Sequence, residues 1–495
     1  MDLFGAVFEA GDYSIARQVL QRGVAAIFLV AFLSTANQFP ALLGDHGLLP
    51  VRDWVSRLRF RDAPSLFHWR YTDRMLRVLA WGGVLLAATV VLGLPQLGPP
   101  WLPMLAFLLL WAGYLSIVNV GQTFYSFGWE SLLLEAGFVV AFLGSNEVAP
   151  PLTIIVFVRW LVFRLEFGAG MIKMRGGPEW RDLTALTYHH ETQPMPNPLS
   201  SFVHRLPAWF HRGEVLGNHF AQLVVPFFLF APQPIASVAA AVVALTQLWL
   251  VVTGNFAWLN WITIVLVFAA VDDRAFRAVL PFLPGGPGDP GGAGEPAAVM
   301  PAASPPWFVV LVLAVTLLLV VLSFWPARNL VARRQLMNAS FNRYHLVNAY
   351  GAFGTVTKER YEIVVEGSAA DDPGDETAWR AYEFHGKPGD PARLPRQFAP
   401  YHLRLDWLMW FLALGVRDTR WFEMFLVRLL EGDRPTLRML RVNPFPDAPP
   451  RYVRARLFRY RFATHAERRS TRDWWVRTPA GFYVRPVTLP GPSRA

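Results

Sequence analysis

The residues best suited to chemistry are gathered in 159–200, RWLVFRLEFGAGMIKMRGGPEWRDLTALTYHHETQPMPNPLS. An apolar helix carrying Arg159, Arg164 and Glu166 runs into a break at Gly168 and Gly170, then Lys173, then a polar stretch with His189, His190 and Glu191. Charge inside a bilayer is costly and is kept where it is used. Lysine stands only at 173, 358 and 387, whereas 43 of the 46 basic residues are arginine. Arginine serves wherever permanent positive charge is needed, but it does not give up its proton; a desolvated lysine becomes a neutral base or nucleophile. Lys173 is therefore the candidate base, the alternative being an anchor that snorkels to lipid headgroups or pairs with Glu166. His189, His190 and Glu191 are candidates for proton handling, or are satisfied structural groups. Adjacent side chains do not share a helix face, and the spacing departs from His-Glu-x-x-His, so no metal is expected there. Glu130 and Glu135, in the apolar segment 124–146, are expected to pair with Arg159 or Arg164 of the next span, or to line a buried site; with Glu166 these form a buried polar network.

The elements that must position these groups are membrane helices. Of 495 residues 53% are hydrophobic and 20 are tryptophan, and the apolar runs approach bilayer length. About nine spans are predicted, at 21–39, 76–94, 101–120, 124–146, 151–168, 217–232, 236–253, 256–271 and 306–325. The first reads as a retained span and not a cleaved signal peptide. Polar excursions fall at 40–75 and 169–216, and a flexible Gly/Pro/Ala-rich loop at 284–305. The net charge of +10 lies on arginines beside aromatics and spans, which suits anionic headgroups and not nucleic acid. With no cysteine, the chain forms no disulfide, performs no thiol exchange and builds no thiolate metal site. The bias toward Ala, Arg, Gly and Pro suggests a bacterial source.

From the transmembrane region, 1–329, the composition shifts to a β-rich extramembrane region, 330–495. Segments 355–366, 378–385 and 451–462 read as strands, the last slipping phase at Leu457-Phe458 as a bulge does. Residues 474–476 and 482–484 read as a hairpin joined through Thr478 to Gly481, and the charges within amphipathic 401–432 make it a surface or core helix, not a tenth span. No phosphate-binding loop, dinucleotide fingerprint or nucleophile elbow is present, so no cofactor is named.

The motifs GWESLLLEAGF (128–138), HETQPMPNP (190–198), VNAYGAFG (347–354), TKER (357–360), FHGKPGD (384–390) and PYHLRLDW (400–407), in this order, resemble the lipase maturation factor family from about residue 20 to 465. The resemblance implies an integral membrane protein, in the endoplasmic reticulum in eukaryotic relatives, that assists the folding and assembly of secreted lipases through a luminal C-terminal domain. Ala169-Gly170-Met171-Ile172-Lys173 with Glu179-Trp180 is also similar to a segment of the vitamin K-dependent gamma-carboxylases, in which the second of two lysines is the catalytic base. Lys173 matches that lysine; Ile172 replaces the first, and two extra residues precede Trp180. Two functions follow: a maturation factor that binds an exported client, lipase-like by the resemblance, through 330–490, or a membrane enzyme acting on a lipid-soluble cofactor or substrate. Topology is contested as well. Nine spans put loops 40–75 and 169–216 and the C-terminal domain on one side, cytoplasmic by the positive-inside rule but exported by the resemblance.

Overall fold

The computed structural model describes residues 8–280, 302–415 and 418–490; the predicted loop at 284–305 lies almost wholly outside them, as does Arg417. Among the described residues, five stretches are long and apolar enough to cross a membrane: Gly11–Leu43, Asp73–Val91, Trp101–Val118, Ile235–Thr253 and Pro306–Val331. They contain helices α1 (Ser14–Leu43), α2 (Asp73–Val91), α3 (Trp101–Val118), α8 (Ile235–Thr253), and α10 (Pro306–Leu322) with α11 (Phe324–Val331). Between α3 and α8 lie α4 (Gly128–Val140), α5 (Leu152–Arg175), α6 (Ala185–Thr192) and α7 (Ala208–Leu223); α9 (Leu259–Val267) follows α8. Of these, α4, α5, α7 and α9 fall in the four other predicted spans and are shorter, or in α5 more charged, than the five apolar stretches.

Helix α1 is the axis of the bundle and packs against α2, α4 and α9. Close approach needs small residues: a Cβ on Gly83 of α2 would meet the Phe32 ring of α1 at 2.6 Å. Helix α5 packs against α4, α7 and α9 and, through its outer side, α10 and α11. Its break at Gly168 and Gly170 is not a break of the helix. Both glycines stay helical and instead admit the Tyr350 carbonyl, which a Cβ on Gly168 would meet at 2.6 Å, and the Leu223 side chain of α7.

The C-terminal region is a four-stranded antiparallel sheet, order β2-β1-β3-β4, from β1 (Arg360–Ser368), β2 (Arg380–Ala381), β3 (Tyr452–Phe462) and β4 (Trp475–Val487). A register shift does fall at the predicted place, but the bulge is not in β3: Leu457 pairs with Gly481 and Phe458 with Pro479, so the extra residue is Ala480 on the neighbouring strand, while β3 runs in unbroken register along β1. The predicted hairpin does not form. Residues 475–487 form one strand, because Gly481, at φ +125°, and the bulge absorb the irregularity while pairing to β3 continues on both sides. The 401–432 helix divides into α12 (Arg404–Ala413) and α13 (Arg420–Leu430) after Gly415, at φ +80°. Both are core helices; Trp421, Phe422, Phe425, Leu426 and Leu429 form the buried stripe of α13. One continuous hydrophobic core runs from Phe28 and Phe32 of α1 to Leu405 and Trp407 of α12 and Ala455 of β3, so the sheet is built onto the bundle, not tethered to it.

Candidate functional site

A cavity of about 820 Å³ opens among α5, α7, α8, α9 and α12. Its walls are mostly aromatic and aliphatic, and one side is polar. Lys173, near the end of α5, is buried there: Nζ donates to Asn218 Oδ1 at 2.9 Å and Gln222 Oε1 at 2.7 Å and lies 4.7 Å from the Trp180 ring centre. Two turns earlier on the same face, Glu166 accepts from Gln247 Nε2 at 2.6 Å, whose Oε1 accepts from Asn260 Nδ2 at 2.6 Å. Among the described residues no carboxylate stands within 4.0 Å of the Lys173 amine, so the two charges share a cavity without forming a direct pair. Asn218 and Gln222 come from the polar-rich α7 and Gln247 from the apolar α8, and sequence analysis singled out none of them as site residues.

His189 and His190 also line the cavity, and neither makes the same contacts. The His189 ring lies parallel to Phe256 and edge-on to Phe353, and burial pulls it down to about 3, so it is neutral. His190 Nε2 is 3.2 Å from Glu214 Oε1, His211 Nδ1 is 3.0 Å from Glu214 Oε2, and Trp249 Nε1 donates to Glu214 Oε1 at 2.6 Å. Three hydrogen bonds thus converge on the one Glu214 carboxylate. Glu214 and His211 escaped sequence analysis because their helix carries no motif.

Glu191 belongs elsewhere. It accepts the Phe462 N–H at 2.7 Å and faces His204 at 3.5 Å, while burial raises its pKa. The backbone around it is clamped from the sheet: Arg360 donates to the carbonyls of Glu191 at 2.9 Å, Gln193 at 2.5 Å and Pro194 at 3.2 Å. Lys387 adds a bond to Pro194 O at 3.3 Å, and Glu362 balances both cations, 2.5 Å from Arg360 and 3.1 Å from Lys387. The HETQPMPNP motif is thus in large part the seat of the C-terminal region. Nearby, Asp406 accepts the Gly386 N–H at 2.5 Å and is pushed up to about 6 by burial. Its folded state therefore holds a proton that the unfolded carboxyl releases near 4, and stability falls as pH rises from about 4 to 6 by up to about 3 kcal/mol. Thermal unfolding at pH 4.5 and 6.5 measures this; Asp406→Asn should flatten the difference, and an unchanged slope in that variant excludes Asp406 as its source.

The polar network is wired differently from expectation at two points. Arg164 does pair with Glu135, which also accepts from Asn348 N at 2.8 Å, Asn348 Nδ2 at 3.0 Å and Tyr350 OH at 2.7 Å. Glu130 pairs with neither arginine of α5. Its partner is Arg404 of α12 at 2.5 Å, with Tyr114 donating from α3 and His402 at 3.6 Å. Arg159 has no carboxylate partner among the described residues; it caps the carbonyls of Ala269 at 3.0 Å and Leu229 at 3.3 Å and covers the Tyr13 ring. The cause is geometric. The open C-terminal ends of neighbouring helical turns lie beside Arg159, and no sequence pattern places Arg404, 274 residues from Glu130, against the bundle.

Two family models match the chain: a lipase maturation factor transmembrane domain over residues 15–278 and a lipase maturation factor C-terminal domain over 346–485. Among curated proteins, lipase maturation factor 1 of Mus musculus is 39% identical over 98% of this chain and 89% of its own length, and that of Homo sapiens 40% over 98% and 90%. Human lipase maturation factor 2 is 30% identical over 96% of this chain and 83% of its own. No solved structure matches.

Proposed function

The chain belongs to the lipase maturation factor family, and from that premise we propose a membrane-embedded factor that promotes the folding and maturation of exported lipases, which it contacts through its C-terminal region. The observation that carries this reading is the extent of the likeness, which takes in both the bundle and the sheet over nearly the whole chain. The seat of the sheet on the bundle supports a fixed client platform: β4 is an edge strand, and from Arg477 to Phe482 its residues are exposed. The proposed location is a bacterial cytoplasmic membrane with the sheet on the exported side, and no part falls to nucleic acid. Nine crossings remain the proposed count, since α5 at 24 residues reaches about 36 Å, and α4, α7 and α9 are each continued by a short helix, Ala141–Leu143, Val225–Phe228 and Phe268–Ala270. A lipase secreted from cells carrying the full chain should show higher specific activity per mass of enzyme than from cells lacking it, and should co-purify with the chain. Equal specific activity in both would sink the proposal. A reporter fused after Ala495 that is active only in the cytoplasm would overturn the orientation.

A second reading, a carboxylase-like membrane enzyme acting on a lipid-soluble substrate, is favoured by one observation: Lys173, Glu166, His189 and His190 converge on a single, mostly apolar cavity. In that reading Lys173 is the base, and the closed hydrogen-bond set on its amine is oriented by neutral amides. Lys173→Arg keeps charge and loses the transferable proton, so it should abolish turnover while expression, insertion and client capture persist. Lipase maturation undiminished in Lys173→Arg leaves Lys173 as an anchor and removes the enzyme reading.

A further inference from the structure

We propose that His190, His211 and Glu214 form a binding site for a divalent transition metal ion of the zinc class, in the wall of the cavity. The inference is independent of both functional readings. The three donor atoms come from two helices: His190 from α6, and His211 and Glu214 one turn apart on one face of α7. All lie within 4.8 Å of one another; the two histidine side chains are buried and that of Glu214 nearly so, with exposures of 3%, 1% and 9%. The separations are those of ligands and not only of hydrogen-bond partners. An ion bonded at about 2.1 Å to tetrahedral donors holds them about 3.4 Å apart. His190 Nε2 lies 3.2 and 3.3 Å from the two Glu214 oxygens, and His211 Nδ1 lies 3.0 Å from Oε2.

Two further observations point to an ion. The ring nitrogens that face the Glu214 carboxylate, His190 Nε2 and His211 Nδ1, hold their protons there and would give them up to an ion, while the remaining nitrogens, His190 Nδ1 and His211 Nε2, are buried with no hydrogen-bond partner and would carry the ring proton once the ion is bound. Glu214 is itself oriented from outside the cluster by Trp249 Nε1 at 2.6 Å, the outer-shell bond that aims a ligating carboxylate. Two imidazoles and one carboxylate in a chain without cysteine select zinc-class ions over soft or purely oxygen-bound ones. His190 and Glu214 line the cavity whereas His211 stands behind them, so the fourth coordination position faces the cavity and is open to water or to a polar group of whatever the cavity holds. Sequence spacing concealed the site: Glu191, next to His190 in the chain, faces Phe462, and the carboxylate comes from position 214 instead.

The test uses the full chain, purified in detergent and stripped with a chelator, with Co²⁺ as probe and Zn²⁺ as competitor. One Co²⁺ per chain should bind with the intense visible absorption of a low-coordinate site and be displaced by Zn²⁺. His211→Ala should weaken binding more than tenfold, and His204→Ala, outside the cluster, should leave it unchanged. If His211→Ala does not fold, Trp249→Phe, which removes only the orienting bond, should weaken binding about tenfold. Only weak octahedral absorption in the folded wild-type chain, or equal uptake by wild type and His211→Ala, would overturn the site.

Discussion

Arg404→Met lowers the stability of the folded chain by about 3–5 kcal/mol, the cost of stranding one member of a fully buried ion pair. Glu130 and Arg404 are wholly buried, 2.5 Å apart, and Arg404 also donates to Phe124 O at 2.8 Å and lies over the Tyr125 ring at 3.5 Å. Methionine fills much of the volume and satisfies none of this, leaving Glu130 with Tyr114 and a distant His402. Because the pair joins α4 to α12, the loss should appear first as loosening of the sheet from the bundle, read as earlier thermal unfolding and faster proteolysis after residue 330. Glu130→Gln combined with Arg404→Met should recover part of the loss, since no uncompensated charge is left. A single variant within about 1 kcal/mol of the parent would mean that water reaches the pair and that the sheet is held by its apolar contacts alone.

Glu135→Leu has a comparable effect by a different route. One carboxylate accepts from Arg164, from the backbone and side chain of Asn348 and from Tyr350, so its removal strands a charge and two further donors, Asn348 N and Tyr350 OH, while Asn348 Nδ2 keeps the His345 carbonyl at 2.8 Å. A loss of at least about 4 kcal/mol is expected in thermal unfolding followed by tryptophan fluorescence. Arg159→Met is the control, because the groups it abandons are the carbonyls of Ala269 and Leu229, and about 1–3 kcal/mol covers them. Equal losses in the two variants would refute the view that Glu135 is the more heavily committed node. The same node fixes the Val347-Asn348-Ala349-Tyr350 segment against α5, and Gly168 is where its backbone comes closest, so the motif there serves docking of the two regions.

Composition and period alone determined that this chain is a helical membrane protein with a sheet-bearing C-terminal region, because a long apolar helix and an alternating strand each declare themselves within a dozen or so neighbouring residues. The register shift beside Leu457-Phe458 was legible for the same reason, although its extra residue lies on the neighbouring strand, and Lys173 stood out by its rarity. Tertiary structure alone decided the partners. Which carboxylate meets Arg164 rather than Arg159, why Glu130 waits for Arg404, and why His190 faces Glu214 while Glu191 turns to Phe462 depend on contacts between residues distant in the chain. The run 475–487 makes the same point for the backbone: its local signals favour a turn at Pro479 to Gly481, but pairing along the whole length of β3 satisfies more hydrogen bonds than a two-stranded ribbon at the surface would. A buried polar group is satisfied by whatever the fold brings within about 3 Å of it, and nothing in its sequence neighbourhood carries that information.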